Sequence, residues 1–331
     1  MKAALFKEKN SPLLVDDVNK PVPIKGQVLV KLRAAALNHR DLWIRQEQSS
    51  LASGIVLGSD GAGVVEAVGE EVDETLIGQE VVINPCIGWG KNPAVQSDGF
   101  KFLGFPDHGT FSEYIVVPKK QVYEKPSGLS FEEAASVPLS GVTAYRALFT
   151  KARLRPGEKV LITGIGGGAA LWALKFAIGF QAKVFVTSGS DEKIRRSIEL
   201  GALAGFNYKQ SDWISKIKKE AGSFDVIIDS AGGAQFPELL DLALPGGRIA
   251  IFGRTAGNIP SISPRTLFWK QLSIFGTSGG TEDEFLSMLD FIYKHKIKPS
   301  IDKTFSLPQV NDAFTRMQEG DQFGKIVLTI P

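Results

Sequence analysis

A cluster of glycines between residues 164 and 170 has the spacing of a phosphate-binding turn. It follows the apolar run 159–163 and opens a stretch of small and apolar residues that favours a helix. Glycine lets the backbone turn sharply and approach a pyrophosphate closely, and the first N–H groups of the helix then face its negative charge. Two registers fit, Gly164-x-Gly166-x-x-Ala169 and a frame that places Gly167, Gly168 and Ala170 at the turn. The pattern predicts a dinucleotide site, and a turn that binds nothing is the alternative.

The end of the next apolar run indicates which dinucleotide is preferred. NAD-preferring sites place a carboxylate about 20 residues past the glycines, where it holds the ribose hydroxyls. Ser188 stands there instead, and Ser188 and Ser190 can donate hydrogen bonds to a 2′-phosphate that a carboxylate would repel. Lys193 offers a cation one turn further, unless it lies on a solvated helix face. Asp191 argues for NADH, but a carboxylate also stabilises the first turn of a helix, so we predict NADPH.

The predicted elements change in character along the chain. Residues 1–124 contain short β-like runs separated by Gly and Pro, which indicates a compact β-rich domain. After a helical stretch at 131–149, apolar strands alternate with helices, as in a parallel sheet that is covered on both faces. These strands are predicted at 159–163, 183–188, 224–230, 247–253 and 272–276. A helix from residue 281 and a final strand from residue 325 complete the pattern.

Composition narrows the classes of protein that the chain can represent. A length of 331 residues suits two domains, and 43% hydrophobic with 22% charged residues is ordinary for a soluble globular protein. A net charge of +2 argues against nucleic acid or a membrane surface as a partner. The lone cysteine, Cys86, precludes an intrachain disulfide and a Cys-rich metal site. With no apolar leader or membrane span in the sequence, we expect a cytoplasmic protein.

Eight motifs in order make the chain resemble the medium-chain dehydrogenase/reductase superfamily, and especially its zinc-free quinone oxidoreductase branch. They are ALNHRDLWIRQ, LGSDGAGVVEAVG, DHGTFSEYIVVP, SVPLSGVTAYRAL, ITGIGGGAA, FDVIIDSAGG, LPGGRIAIFG and FGKIVL. The resemblance implies an α/β fold with a GroES-like β-rich substrate domain at 1–124 and 271–331. A Rossmann domain with a doubly wound parallel sheet, at 125–270, would bind NADP. It also implies a homodimer joined through sheet edges at LSIFGTS.

The resemblance assigns cofactor contacts throughout the chain. It favours the second glycine frame, with an alanine where relatives usually carry a third glycine, and it places a lysine and a tyrosine near the 2′-phosphate. The predicted cofactor-binding residues are Thr143, Gly166, Gly167, Gly168, Ala170, Ser188, Ser190, Lys193, Tyr208, Gly253, Arg254, Thr277, Ser278 and Lys325.

The zinc ligands of the superfamily have no good counterparts in this chain. The three catalytic-zinc positions correspond to Asn38, Ser59 and the neighbourhood of Leu139, and the lobe that would hold a structural zinc offers only Cys86. We therefore predict no metal. In the alternative, a metal would be held by side chains of the N-terminal domain, namely His39, Asp41, Asp60, Cys86 and His108.

Without a Lewis acid, alcohol oxidation becomes unfavourable, whereas hydride delivery to a quinone or an α,β-unsaturated carbonyl remains feasible. We expect Asn38 and Arg45 to stabilise a developing oxyanion and Trp43 to stack on a flat acceptor, although Trp43 could also be a packing residue. The sequence thus predicts a zinc-independent, NADPH-dependent reductase of a small-molecule electrophile. Its alternatives are an enoyl-thioester reductase of the same superfamily, a non-catalytic NADPH-binding or sensor protein, and a zinc alcohol dehydrogenase.

Overall fold

A computed structural model describes residues 1–47 and 54–331. The chain separates into two compact units, one formed by residues Met1–Ser140 and Gly280–Pro331, the other by Gly141–Gly279. We call them the discontinuous unit and the continuous unit. The division at 124/125 and 270/271 that the sequence suggests stays a prediction.

The continuous unit is built on a parallel sheet. Its strands are β11 (Lys159–Ile162), β12 (Lys183–Ser188), β13 (Ala204–Asn207), β14 (Phe224–Asp229), β15 (Ala243–Ile251) and β16 (Ser273–Gly276). Its helices are α4 (Gly168–Gly179), α5 (Asp191–Glu199), α6 (Trp213–Glu220), α7 (Phe236–Leu242) and α8 (Pro264–Lys270). The strand order is β13-β12-β11-β14-β15-β16. This doubly wound order confirms the predicted Rossmann architecture, and its switch point lies between β11 and β14.

Buried apolar strands explain why this sheet forms. The strand β14 is buried along almost its whole length, and Leu161, Ile227 and Ile249 lie in one apolar core with residues of the covering helices. Hydrophobic residues on successive strand positions need cover on both faces, which helices in a parallel sheet provide. The strand β13 was absent from the predicted elements because its four residues, AGFN, lack an extended apolar run.

The discontinuous unit is β-rich. Its strands are β1 (Lys2–Phe6), β2 (Leu14–Asp17), β3 (Gln27–Ala36), β4 (Ile55–Val56), β5 (Asp60–Val68), β6 (Glu80–Ile83), β7 (Cys86–Ile87), β8 (Lys101–Phe102), β9 (Tyr114–Pro118), β10 (Val122–Glu124), β17 (Ile301–Ser306) and β18 (Lys325–Thr329). Its helices are α1 (His39–Glu47), α2 (Phe131–Ala135), α9 (Glu282–His295) and α10 (Val310–Glu319). The described strands β10-β6-β5-β3-β18-β17 form one sheet, with β9 also paired to β3.

The central strand β3 determines where the site lies. Its last residue, Ala36, pairs with Asp60 of β5 on one side and with Val327 of β18 on the other. A strand from each end of the chain is thereby joined next to the start of α1. The pairing explains how residues far apart in sequence come to surround Asn38.

The predicted helical stretch at 131–149 is divided in the structure. A capping box on Ser130 and Glu133 begins α2, Pro138 opens α3 (Pro138–Tyr145), and a π-helical segment follows at Arg146–Lys151. Proline suits a first helical turn, where its missing N–H would have no partner, so it begins a new helix here. The boundary between the two units falls inside α3.

Candidate active site

A buried polar cluster occupies the junction of β3, β5 and β18. The Lys325 ammonium lies 2.8 Å from Oδ2 of Asp60 and donates to Oδ1 of Asn38 at 2.7 Å. The Asn38 amide nitrogen Nδ2 donates to the same Asp60 oxygen at 2.9 Å. Asp60 is fully buried and Lys325 is 4% exposed. The sequence assigned separate roles to Asn38 and Lys325, and the structure places them in one hydrogen-bonded group, which we call the Asn38–Asp60–Lys325 cluster.

The cluster joins the three segments in which zinc-dependent relatives would carry metal ligands. The second oxygen of Asp60, Oδ1, accepts a hydrogen bond from the backbone N–H of Leu139 at 2.8 Å. The Ser59 hydroxyl donates to the carbonyl of Leu103 at 3.0 Å. The carboxylate of the cluster, Asp60, is bonded to Lys325, Asn38 and the Leu139 N–H. The ammonium, the amide and the hydroxyl beside it do not complete a zinc ligand set, which needs several thiolate, imidazole or carboxylate donors. The residues present here do not fit the metal.

Arg40 is a member of the site that the sequence analysis did not single out. Its Nη1 donates to Ser59 Oγ at 2.8 Å and to the Leu103 carbonyl at 3.0 Å, and its guanidinium carbon lies 5.2 Å from the Phe102 ring centroid. Among the described residues, its Nη2 and Nε have no hydrogen-bond partner. Burial lowers the pKa of the Arg40 side chain. A charged residue two positions after Asn38 in ALNHRD was the available signal for it.

Asp41 is a fully buried carboxyl beside the cluster. Its Oδ2 accepts from the backbone N–H of Asn38 at 2.8 Å, and its Oδ1, 3.8 Å from Arg40 Nη1, has no hydrogen-bond partner among the described residues. Burial, opposed by the neighbouring Arg40 charge, raises the pKa of Asp41 to about 6. The carboxyl therefore fixes the start of α1 through its hydrogen bond to Asn38. Near neutral pH, keeping the ionised carboxylate buried costs free energy of folding.

The other two residues with a predicted catalytic role lie further along α1. The guanidinium of Arg45 packs over the Phe314 ring of α10, 4.8 Å from its centroid, and its Nε is buried without a hydrogen-bond partner among the described residues. Trp43 lies on the same helix, and its ring centroid is 6.2 Å from that of His39. None of the contacts found for Arg45 joins it to the Asn38–Asp60–Lys325 cluster, so its role in catalysis stays a prediction.

The side chains of the alternative metal site are engaged otherwise. His108 accepts a hydrogen bond from the backbone N–H of Val56 through Nδ1 at 3.2 Å. Cys86 is buried, and desolvation raises the pKa of its thiol to about 12, which disfavours the thiolate that binds metals. Within residues 1–47 and 54–331, no group of three or more His, Cys, Asp or Glu side chains could hold a metal ion.

The glycine-rich turn lies in the continuous unit, between β11 and α4. Helix α4 begins at Gly168 with Gly167 as its N-cap, and no side chain caps its first N–H groups. A Cβ atom at Gly167 would meet nothing within 4 Å, so open space lies beside the helix N-terminus. Free N–H groups next to open space fit a pyrophosphate, and the helix start supports the second glycine frame. Gly164 and Gly166 have φ values of +62° and +125°, which glycine adopts readily.

The pairing of β12 with β13 brings together the residues predicted to contact a 2′-phosphate. Ser188 pairs with Asn207, and the Tyr208 N–H donates to the Ser188 carbonyl at 3.1 Å. A Cβ atom at Gly189 would lie 2.9 Å from the Tyr208 hydroxyl and 2.8 Å from Cε of Lys209, so both side chains lie over the Ser188–Ser190 turn. Lys209 is a cation that the sequence analysis missed.

Two details of this turn bear on the choice of cofactor. Ser190 caps α5 by accepting from the Lys193 N–H at 3.4 Å, so its hydroxyl is partly used in the fold. The Asp191 carboxylate accepts from the Asn207 amide at 2.8 Å. Asp191 thus has a structural partner, which weakens it as evidence for NADH.

A buried carboxyl holds the switch point of the sheet. Asp229, at the end of β14, accepts from the Thr163 hydroxyl at 2.5 Å and from the Gly232 N–H at 2.9 Å. The Ser230 hydroxyl donates back to the Thr163 carbonyl at 2.9 Å. Burial raises the pKa of Asp229. These bonds fix the ends of β11 and β14 relative to each other, and an aspartate that ends an apolar strand was the available sequence signal.

The remaining predicted cofactor residues lie at neighbouring strand ends. Thr143 Oγ1 accepts from the Gly279 N–H at 3.2 Å, next to the 277–278 pair. The Thr277 hydroxyl is buried without a hydrogen-bond partner among the described residues. Gly253 follows β15, where a Cβ atom would lie 2.0 Å from the Ser230 carbonyl oxygen, and Arg254 is exposed.

Comparison with known proteins agrees with this architecture. Residues 24–127 match the alcohol dehydrogenase GroES-like domain, and residues 164–294 match the zinc-binding dehydrogenase family. The chain is 36% identical to the zinc-type alcohol dehydrogenase-like protein YogA of Leptosphaeria maculans, over 96% of this chain and 95% of that protein. It is 30% identical to the quinone oxidoreductase of Homo sapiens, over 96% and 93%. A crystal structure of an NAD-dependent alcohol dehydrogenase superposes with a TM-score of 0.95 at 35% identity, covering both chains fully.

A GroES-like unit and a Rossmann unit with a glycine-rich turn define a pyridine-nucleotide-dependent oxidoreductase. The chain belongs to the medium-chain dehydrogenase/reductase superfamily. Both predicted domain types are thereby confirmed. No helix within the described residues is long and apolar enough to cross a membrane.

Proposed function

We propose that this protein is a cytoplasmic, zinc-independent, NADPH-dependent reductase of quinones or α,β-unsaturated carbonyls. One observation carries the proposal: the Lys325 ammonium, bonded to Asp60 and Asn38, joins the segments that would carry a catalytic zinc. A divalent cation next to a fixed ammonium would be repelled, and the donors that remain are poor zinc ligands. The names of the Leptosphaeria maculans relative and of one matching family refer to zinc, but the chemistry of this chain's own side chains disagrees with a metal.

The reaction that suits such a site needs no Lewis acid. When bound, reduced nicotinamide supplies a hydride, which carries two electrons to an electrophilic carbon or oxygen of the acceptor. Negative charge then develops on the acceptor oxygen, and the Asn38 amide is the donor that can stabilise it. A proton from water completes the reduction, giving a hydroquinone or a saturated carbonyl.

The preference for NADPH rests on the turn that follows β12. Ser188 replaces the carboxylate of NAD sites, and Tyr208 and Lys209 lie over the adjacent Gly189. We propose that this turn, with Ser190 and Lys193, holds the 2′-phosphate, while Gly166, Gly167, Gly168 and Ala170 hold the pyrophosphate. Thr143, Thr277 and Ser278, together with Gly253 and Arg254, would contact the rest of the cofactor.

The first experiment follows the loss of NADPH absorbance by chelator-treated protein, with a panel of quinones, enones and one enoyl thioester. We expect acceptor-dependent oxidation that zinc does not stimulate, with a kcat/KM for NADH at least 10-fold lower. Metal analysis of the untreated protein should give a zinc-to-protein ratio near zero. A stoichiometric zinc content with oxidation of an alcohol by NAD⁺ would contradict the proposal in favour of an alcohol dehydrogenase. Tight NADPH binding without turnover would contradict it in favour of a binding or sensor protein.

We further propose a homodimer that forms through the edge strand β16. This strand ends the described parallel sheet, and Ile274 on it is 36% exposed. On the preceding helix α8, Phe268 and Trp269 are 65% and 77% exposed. Within the part of the chain that the structure describes, β16 pairs on one side only, and an open strand edge together with exposed aromatic side chains on the preceding helix favours addition of a second copy. Light scattering should give about twice the mass of one chain, and Ile274→Lys should give single chains, whereas a monomeric wild type would contradict this assembly.

A further inference from the structure

The amide of Asn38 can have only one orientation, because its two neighbours have opposite hydrogen-bonding character. Lys325 can only donate, so it must face the amide oxygen, and it does so at 2.7 Å. An ionised Asp60 can only accept, so it must face the amide nitrogen, at 2.9 Å. The oxygen and nitrogen of an asparagine amide have to be told apart by their hydrogen-bond partners, and here the two partners allow only one assignment.

The same bonds leave one N–H of Asn38 available. The nitrogen Nδ2 carries two hydrogens, and Asp60 takes one of them. Among the described residues, no acceptor is found for the second. The ammonium on the amide oxygen also draws electron density from the nitrogen, and hydrogen bonds in such a chain strengthen one another. The remaining N–H of Asn38 therefore has a fixed direction, and the ammonium on the amide oxygen makes it a stronger hydrogen-bond donor.

Asp60 is itself held in place. Its Oδ1 accepts from the Leu139 backbone N–H at 2.8 Å, and its Oδ2 serves both Lys325 and Asn38. With 0% exposure, the carboxylate cannot exchange these partners for water. A fixed acceptor on one side and a fixed cation on the other give Asn38 little freedom to rotate.

From this geometry we infer that Lys325 and Asp60 are positioning residues, which orient and polarise the Asn38 amide so that it stabilises the oxyanion of the reduced acceptor. The inference rests on the proposed function, and it replaces the predicted role of Lys325 as a direct cofactor contact. In this site a hydrogen-bonded ammonium and amide perform the electrostatic task that a metal performs elsewhere in the superfamily.

A double-mutant cycle on kcat tests whether Lys325 acts through Asn38. We expect Asn38→Leu to lower kcat about 100-fold, as for loss of an oxyanion donor, and Lys325→Met about 10-fold. The double variant should be no slower than Asn38→Leu alone, because the cation then has no amide to polarise. If the two effects multiply, Lys325 acts independently of Asn38 and the inference is wrong.

Two variants provide the controls. Lys125→Met removes another mostly buried lysine of the same unit, which pairs with Glu80 at 3.1 Å, and it should leave kcat unchanged. Lys325→Arg keeps a donor toward Asn38 and should recover part of the activity lost in Lys325→Met. The Kd for NADPH, from tryptophan fluorescence, should change less than 2-fold in Lys325→Met. A 10-fold weaker Kd with an unchanged kcat would show a direct cofactor contact and would overturn the positioning role.

A spectroscopic measurement makes the test independent of turnover. The side-chain ¹⁵N–¹H signals of Asn38 can be assigned by their loss in Asn38→Leu. In Lys325→Met and in the isosteric Asp60→Asn, these signals should shift and exchange faster with solvent, while Lys125→Met leaves them in place. Unchanged signals would overturn the inference even if the enzyme is active. Shifted signals in a protein that reduces no acceptor would contradict the proposed function while confirming the orientation of the amide.

Discussion

The glycine-rich turn and the Asn38–Asp60–Lys325 cluster present polar groups in opposite ways. The glycine-rich turn presents backbone N–H groups beside open space, with no side chain at Gly167 and no cap on α4. The Asn38–Asp60–Lys325 cluster instead buries charged side chains and satisfies them against one another. The proposed pyrophosphate at the turn would bring its own negative charge, whereas the proposed acceptor at the cluster would develop negative charge only as it is reduced. Substitutions should therefore affect cofactor binding at the turn, and at the cluster they should affect stability as well as kcat.

The largest stability effect is expected at Lys325. Lys325→Met leaves the Asp60 carboxylate buried without its cation, and removal of one partner of a buried pair costs about 3–5 kcal/mol. The free energy of unfolding, measured by urea titration, should fall by that amount. Arg316→Met is a control for loss of a partly exposed pair, with Asp302 at 3.0 Å, and should cost about 1 kcal/mol or less. An equal loss of unfolding free energy in Lys325→Met and Arg316→Met would contradict the expectation that the buried ion pair matters more than the partly exposed one.

Asp41 should produce the next largest effect, and one that depends on pH. Because burial raises the pKa of this carboxyl to about 6, its contribution to stability is fully present below about pH 4 and is lost as the pH rises through 6. Asp41→Asn cannot ionise, so it avoids the free energy of burying the ionised carboxylate, which is about 3 kcal/mol at most. The free energy of unfolding of the variant minus that of the wild type should therefore be larger at pH 7 than at pH 4, as measured by urea titration at each pH. A difference that does not depend on pH would exclude the raised pKa.

At the turn, Gly167→Ala should separate binding from folding. A Cβ atom there meets no atom of the protein, and the φ of Gly167 is −75°, so the unfolding free energy should change by less than about 0.5 kcal/mol. If the open space receives the pyrophosphate, the Kd for NADPH should rise about 10-fold or more, which corresponds to about 1.4 kcal/mol. Gly253→Ala offers the contrast, because its Cβ would lie 2.0 Å from the Ser230 oxygen and should destabilise the fold. Unchanged NADPH affinity in Gly167→Ala would place the cofactor elsewhere.

The smallest effect is expected at Lys209. Loss of one exposed cation near the proposed 2′-phosphate should weaken NADPH binding about 3- to 5-fold, by analogy with exposed charge pairs. Lys209→Met should leave the Kd for NADH unchanged, because NADH lacks the phosphate. Titration of both cofactors into the variant and the wild type gives the comparison. An equal loss for NADPH and NADH would argue against a phosphate contact.

The same contrast explains how much the sequence could predict. The turn is local: the strand, the glycines and the helix N-terminus lie within residues 159–170, so their order alone predicts the dinucleotide site. The proximity of Ser188 and Tyr208 needed the resemblance, since it depends on the pairing of β12 with β13. Lys209 had no periodic or motif signal, and only that pairing shows its place.

The bonds within the Asn38–Asp60–Lys325 cluster were harder to predict from the sequence. The sequence pointed to Asn38 as an oxyanion donor, to Asp60 as a ligand in the alternative metal site and to Lys325 as a cofactor contact. Only the register of β5 and β18 on β3 shows that the three side chains bond to one another. Pairing of distant strands is set by the whole sheet and cannot be derived from the residues near each strand.

The division of the chain also has a consequence for the order of folding. The continuous unit is one uninterrupted segment, whereas the bond between Lys325 and Asn38 closes a separation of 287 residues. Closing so long a loop costs conformational entropy before any contact is gained, so distant pairings form slowly. During synthesis, the Rossmann segment is complete and free to fold while β3 and β5 still await β18. Each newly made molecule can therefore form its glycine-rich turn before the Asn38–Asp60–Lys325 cluster is assembled.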